Sequence, residues 1–424
     1  MSKKIFTLLS LLVLASMILV ACAPAATEAP TEPGEPEAPL EGETSGEYQC
    51  TDSLGCVVIG PNDPVHIAYA LVLSTADETL GVDTRNGVEV AVQDKGQILG
   101  HDIQLDGEDD QCSAEGGQAA AAKLAADPSI VAVIGTSCSS AARVGVPLLS
   151  QAGLVIVSPS NTGVDLTIEG ENWNPGYGRT AHADSAQGPP AAQFAFDELG
   201  ARKAATIHDG SLYAEQLQAE FAKAFEAMGG EIVATEAVDP EQTDFKSVLT
   251  SIAASSPDII YYPIFIKAGS LITRQAKETA GLENTALMGA DGMYSPDVTE
   301  GAGDAVEGLY VSSPDLSAFA EAYATDFVPK YVEKFGTEPL SIFHAHGYDA
   351  FMIIAAAIER AAVQLDDGSL VIPRQALRDE FYATENYQGL TGNLTCTEFG
   401  DCADPVIAVY QYHVGEFPPE RVWP

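Results

Sequence analysis

Two short stretches concentrate groups that hold an anion without carrying charge themselves. Residues 136–140 read Thr-Ser-Cys-Ser-Ser, and residues 158–162 read Ser-Pro-Ser-Asn-Thr. Hydroxyls, free backbone N–H groups and a helix N-terminus suit a carboxylate. Neither stretch has a lysine or the glycine pattern that cradles a pyrophosphate. The elements around them bring them together. Residues 130–134 are a continuous apolar, β-branched run, which suits a strand buried on both faces. Ser139 or Ser140 can cap a helix running through Val144, Leu148 and Leu149, and Gly153 stops it. Residues 154–157 form a second buried strand, completing a βαβ unit. Its right-handed crossover makes the strands parallel, so both hydroxyl-rich tips fall at one sheet edge, where α/β sheets bind ligands.

The chain has 424 residues, enough for two domains with separate cores. Its 61 acidic residues outweigh 20 Lys and Arg, giving a formal charge of −41. Such a field repels nucleic acid and anionic lipid and suits a solubilising surface in an exposed setting. At the start, Lys3 and Lys4 precede an apolar run over residues 5–20, the pattern of a secretory signal. The ending Leu19-Val20-Ala21-Cys22 looks like a bacterial lipobox, which implies cleavage after residue 21 and lipid on Cys22. No later stretch approaches the roughly 18 consecutive apolar residues of a spanning helix. Residues 23–47 are almost wholly Ala, Pro, Thr, Gly and Glu, with no basic residue. With Cys22 they read as a lipidated, disordered acidic tether over residues 22–60, placing the protein outside the membrane but attached to it.

Six cysteines then remain in an oxidising compartment, an even number with fifteen pairings. Cys50 with Cys56 and Cys396 with Cys402 are local partners, which leaves Cys112 and Cys138 for each other. A metal site would need paired C-x-x-C or a histidine cluster, and neither is present.

Along the chain, strands over 65–73 and 103–105 alternate with helices over 81–94 and 115–126, so the first sheet is parallel. The rhythm restarts with strands at 204–208, 232–237, 259–266 and 286–289. Helices fall between them at 213–228, 244–254 and 271–280, which makes a second α/β domain. Helices over 316–335, interrupted at Pro329, and over 346–363 follow, with strand signals near 390–397 and 406–412. A tail this long implies crossings between domains near 180–184, 312 and 405.

These residues resemble a known family. Asp110-Gln111-Cys112, the stretches 134–140 and 158–162, and Arg179-Thr-Ala-His-Ala-Asp-Ser-Ala-Gln-Gly188 are similar to bacterial leucine/isoleucine/valine-binding proteins. So are residues 207–213, 258–262 and Met288-Gly-Ala-Asp-Gly292. These are the extracytoplasmic substrate-binding components of branched-chain amino acid ABC transporters. The resemblance runs in order from about Val65 to Tyr412. It implies a type I periplasmic binding fold: two Rossmann-like α/β lobes with parallel sheets, joined by a three-strand hinge. The first lobe would comprise residues 64–183 and 314–405, the second 184–313 and 406–424. It also implies a Cys112–Cys138 disulfide, a monomer without cofactor or metal, and ABC permease subunits as partners.

Residue by residue, the resemblance implies that Ser139 and Thr162 bind a ligand α-carboxylate through hydroxyl and N–H. Ser160 would offer a carbonyl to the α-ammonium, Asp291 would pair with that ammonium, and Tyr213 would close over the ligand. Leu80 and Phe265 would line the side-chain pocket, where the family often has Tyr, making it more apolar. Physical chemistry supports the same division of labour. A zwitterion left with either end unpaired in a buried site costs several kcal/mol. Asp291 follows a strand at a carboxyl edge of the second sheet and so can face the cradle.

Other uses of these residues compete. The same fold can serve as a receptor or sensor for amides, urea or aromatic acids. His208-Asp209 beside a reactive Ser139 would make a secreted serine hydrolase, although no G-x-S-x-G elbow is present. His344 and His346, two apart on a helix, diverge too far to share a metal. Trp173 reads as a loop packing residue. Arg85, Arg143 and Arg179 read as surface or hinge residues, and one of them near the cleft would favour a ligand with a second acid.

Overall fold

The computed structural model describes residues 48–424. The signal sequence, Cys22 and most of the expected tether lie outside the described residues. Among those described, no helix is long and apolar enough to cross a membrane.

Two sheets carry the fold. The first has the order Gln97–Ile98, His101–Asp109, Val65–Leu71, Ile130–Gly135, Val155–Ser158, Tyr177–Arg179. It is parallel except for the short 97–98 edge strand, which runs antiparallel. Side chains alternate along its central strand, as the two-residue period of a strand requires. Val65 and Ile67 pack under the helices Glu78–Lys95 and His344–Ala361, and Ala68 and Ala70 under Ala114–Ala125 and Ser139–Gln151. The latter two helices cross closely because their contact is made of glycine and alanine. A Cβ on Gly117 would lie 2.5 Å from the Ala141 side chain.

The second sheet has the order Glu420–Trp423, Ile407–Gln411, Tyr310–Pro314, Ala286–Ala290, Ile259–Tyr261, Lys203–His208, Glu231–Ala237. Five strands are mutually parallel, 407–411 pairs antiparallel with 310–314, and 420–423 pairs antiparallel with 407–411, so this sheet is mixed rather than wholly parallel. The chain re-enters it after a long excursion and closes with a hairpin, a connection only antiparallel strands permit. Phe221, Phe225, Ile260, Leu287 and Val311 form its core. The chain passes between lobes three times, after Arg179, after Pro314 and before Ile407, which builds the hinge.

Several elements differ from expectation. Cys56–Ile59, at the end of the expected tether, is a strand paired with Leu370–Pro373. The folded body therefore begins earlier than residue 60. The expected 259–266 strand ends at Tyr261, and a helix starts at Ile266 because Pro263 interrupts the ladder. The expected 316–335 helix is α-helical only over Val328–Phe335, and the 390–397 strand shrinks to Asn393–Leu394. Disulfides join Cys50 to Cys56, Cys112 to Cys138 and Cys396 to Cys402.

The Cys112–Cys138 bond spans 26 positions, and in the chain-entropy model such a loop contributes about 3.5 kcal/mol. Replacing both cysteines by serine is expected to lower the unfolding free energy by about 3 kcal/mol, read by urea denaturation.

Candidate functional site

The site forms where each sheet reverses its strand order, at the carboxyl ends of its strands. In the first lobe, Val65–Leu71 and Ile130–Gly135 end side by side, and the loop after Gly135 leads into the Ser139–Gln151 helix. Asp110 holds that loop. Its carboxylate accepts from Ser137 N–H at 2.6 Å and Cys112 N–H at 2.9 Å, while the disulfide ties Cys112 to Cys138. Burial pushes the Asp110 carboxyl up to about 7 although both N–H groups oppose the shift. The Ser137 hydroxyl accepts from Val72 N–H at 3.0 Å, fixing the two strand ends to each other.

The second tip is bonded directly to the first. Ser158 Oγ donates to the Thr136 carbonyl and Ser160 Oγ to the Ser137 carbonyl, both at 2.8 Å. Ser139 Oγ accepts from Gly163 N–H at 3.1 Å. Neither Ser139 nor Ser140 caps its own helix, which follows Cys138 without a side-chain cap. Both hydroxyls are used elsewhere, and the N–H groups of Ala141 and Ala142 bond the Cys138 carbonyl.

Beneath the second tip lies Arg179, which is not a surface residue but fully buried. Its guanidinium donates to the carbonyls of Gly163 at 2.7 Å and Asn161 at 3.3 Å, to Thr167 Oγ1 at 2.9 Å, and to Asp401 at 2.5 Å. Against burial, the Asp401 charge keeps it protonated. Thr162, expected beside Ser139, does not line the cavity. Arg179 holds the carbonyls on either side of Thr162, whose side chain is fully buried and whose hydroxyl makes no hydrogen bond. The Thr162 carbonyl accepts from Asp184 N–H at 2.8 Å. Burial holds the Asp184 carboxyl well above the usual range.

The second lobe supplies the opposite wall. Asp291 follows the Ala286–Ala290 strand, and its Oδ1 accepts from Tyr213 Oη at 3.0 Å and Gln187 Nε2 at 2.7 Å. Burial and the Asp291 charge push the Tyr213 phenol well above its usual range, so it remains a donor. The Tyr213 and Phe265 rings lie 5.2 Å apart. One cavity between the lobes is lined by Ser139, Ser160, Tyr213, Asp291, Leu80 and Phe265. Ser137 and Cys138 of the 136–140 stretch and Gly292 also line it, as do Val72 and Phe343, which the sequence did not mark.

Hydrogen bonds between the lobes close the cavity on both sides. Leu212 N–H donates to Ser140 Oγ at 3.0 Å and Val164 N–H to Gln216 Oε1 at 2.5 Å. Across the mouth, Ile266 N–H donates to Asp77 Oδ1 at 3.3 Å, and the Thr79 hydroxyl donates to the Asp297 carboxylate. The Ile266–Lys277 helix has no side-chain cap of its own, so Asp77 caps it from the other lobe.

The competing chemistries find no assembly. His208 Nδ1 accepts from Gly210 N–H, and no histidine hydrogen-bonds Ser139 among the described residues. His344 is held by Asp83 and Tyr323, while His346 packs on Phe319 and Phe343. Among the described residues no cluster of His, Cys, Asp or Glu is placed to hold a metal. Arg143 lines the outer groove with Lys267, not the inner cavity. Trp173 packs edge-on to Phe399.

Residues 64–406 match the family model for periplasmic binding proteins, and the chain belongs to that family. Within it, the similarity is to proteins that bind branched-chain amino acids. A curated relative from Pseudomonas aeruginosa, a leucine-, isoleucine-, valine-, threonine- and alanine-binding protein, is 27% identical over 354 residues, covering 83% of this chain and 90% of its own. The crystal structure of a leucine binding protein from Thermotoga maritima superposes with a TM-score of 0.74 at 28% identity, covering 83% of this chain and 96% of that one. A branched-chain amino acid transporter substrate binding protein from Streptococcus pneumoniae, solved with isoleucine, shares the fold with a TM-score of 0.72 at 24% identity, covering 85% of this chain and all of that one.

Two outcomes follow from this geometry. Burial, with Asp297, Asp209 and Glu241 of the facing lobe, pushes the Asp77 carboxyl up to about 6, although the Ile266 N–H opposes the shift. Opening returns it toward 3.8, so closure takes up a proton. The closed fraction is therefore greatest below about pH 4 and declines as pH rises through 6. Small-angle scattering across that range checks this, and Asp77→Asn, which keeps an acceptor for Ile266, should flatten the profile. Separately, Arg179→Leu should cost about 2–4 kcal/mol in urea denaturation, because it strands the buried carbonyls of Asn161 and Gly163, whereas Asp401, with its side chain 39% exposed, is served by water.

Proposed function

We propose that this chain is the extracytoplasmic substrate-binding component of an ABC importer, loading a branched-chain or similarly apolar amino acid. The observation that carries the proposal is a single cavity with neutral donors on one lobe, a carboxylate on the other, and apolar walls between. The ligand carboxylate meets the Ser139 hydroxyl and the first N–H groups of the 139–151 helix, with Thr162 supporting the loop from behind. The ammonium pairs with Asp291 and with the Ser160 carbonyl. Val72, Leu80, Phe265 and Phe343 surround the side chain, and Tyr213 covers it. Micromolar affinity needs only about 8 kcal/mol net, within reach of two satisfied charges and one buried aliphatic group. Relatives that bind leucine, isoleucine and valine support the ligand class. Lipid on Cys22 holds the protein at the outer face of the membrane, where as a monomer it meets the permease subunits.

Isothermal titration against a panel of amino acids, amides and aromatic acids tests this. Leucine, isoleucine or valine should bind tightest. Asp291→Ala should weaken that binding at least 100-fold, and Ser139→Ala about tenfold. Preference for urea or an amide, or unchanged affinity in Asp291→Ala, would reject the assignment.

A further inference from the structure

Asp291 does not aim itself. We infer that Gln187 is the positioning residue that presents the Asp291 carboxylate to the ligand's ammonium, an inference that rests on the amino-acid reading of this cavity. Gln187 is fully buried and sits near the start of the Asp184–Gln193 helix. Its Nε2 donates to Asp291 Oδ1 at 2.7 Å, the Ser312 carbonyl at 3.0 Å and Ser312 Oγ at 3.1 Å. Its Oε1 lies 2.6 Å from His182 Nε2.

The network allows only one orientation of this amide. Turned over, its carbonyl would face a carboxylate and a backbone carbonyl, two acceptor–acceptor contacts in a dry interior. Oε1 must therefore face His182, which donates from Nε2. Burial holds the His182 imidazole below its usual range, so it is the neutral tautomer that donates. Every polar atom of Gln187 is thus committed. His182 lies on the first crossing between the lobes, and Ser312 on the strand that leads to the second.

The consequence falls on Asp291. Oδ1 receives both Gln187 and Tyr213, while Gly292 N–H donates to the Tyr213 hydroxyl at 3.2 Å. With Oδ1 anchored twice, the carboxylate cannot rotate, and Oδ2 is the oxygen left for the cavity that Asp291 lines. A charge-assisted bond to an ammonium depends on that orientation. A ligand without an ammonium makes no use of it.

The discriminating experiment compares leucine with 4-methylpentanoate, the same acid with hydrogen in place of the ammonium. Isothermal titration of Gln187→Leu should show leucine affinity falling 10- to 100-fold while 4-methylpentanoate affinity stays within threefold of wild type. Gln187→Met, of matching length and with a flexible thioether, serves the same comparison should the leucine variant not fold. A melting temperature for each variant accompanies the titration. Equal losses for both ligands, or no loss for leucine, would overturn the role of Gln187 alone. Failure of wild-type protein to bind leucine or any other amino acid would overturn the functional proposal, and this inference with it.

Discussion

An ionised carboxylate enclosed by Leu80, Phe265 and Val72 is tolerable only if donors or a cation face it. Asp291 is 2% exposed and meets that demand in two parts. Tyr213 and Gln187 satisfy one oxygen from within the protein, and the cavity is left to satisfy the other. The rest of the site follows from this asymmetry. A cradle on the facing lobe that also carried negative charge would compound the cost, whereas serine hydroxyls and helix N–H groups add none. Under the proposed function, Asp291 pairs with the ligand's ammonium while the ligand's own carboxylate is met by uncharged donors.

Closing the cleft also completes backbone hydrogen bonding. The Ile266–Lys277 helix takes its cap from Asp77, and Leu212 N–H at the start of the 212–227 helix finds Ser140. The first lobe therefore finishes two helices of the second, so the closed form is stabilised by groups that water serves in the open form. Such bonds are worth about 1 kcal/mol each. That is small enough for a ligand's differential affinity to decide the equilibrium.

The central βαβ unit and its two hydroxyl-rich tips were legible because continuous apolar runs and a glycine stop leave little choice of element. Asp291 was legible once its strand was seen to end at a sheet edge. The strand Cys56–Ile59 was not, since its partner Leu370–Pro373 lies some 300 residues away and no local pattern announces such pairing. The Asp184–Gln193 helix was hidden by Gly188, Pro189 and Pro190. The glycine is there because a Cβ would lie 2.7 Å from Glu220 on the neighbouring helix. Arg179 reads from the sequence as surface or hinge; it does stand at the first crossing between the lobes, but only tertiary structure shows that it is buried and gathers two carbonyls. Thr162 has the right residue type at the right tip, but it is fully buried beside the carbonyls that Arg179 holds and does not line the cavity.

The early strand has a mechanical meaning. Cys56–Ile59 pairs beside the first sheet, Asp52 accepts from Gln375 and Ala376 N–H, and the Cys50–Cys56 disulfide closes the turn between them. Tension on the amino end is thus borne by the first lobe alone. The second lobe carries no load. A molecule held by that end could swing shut and open without dragging its own leash.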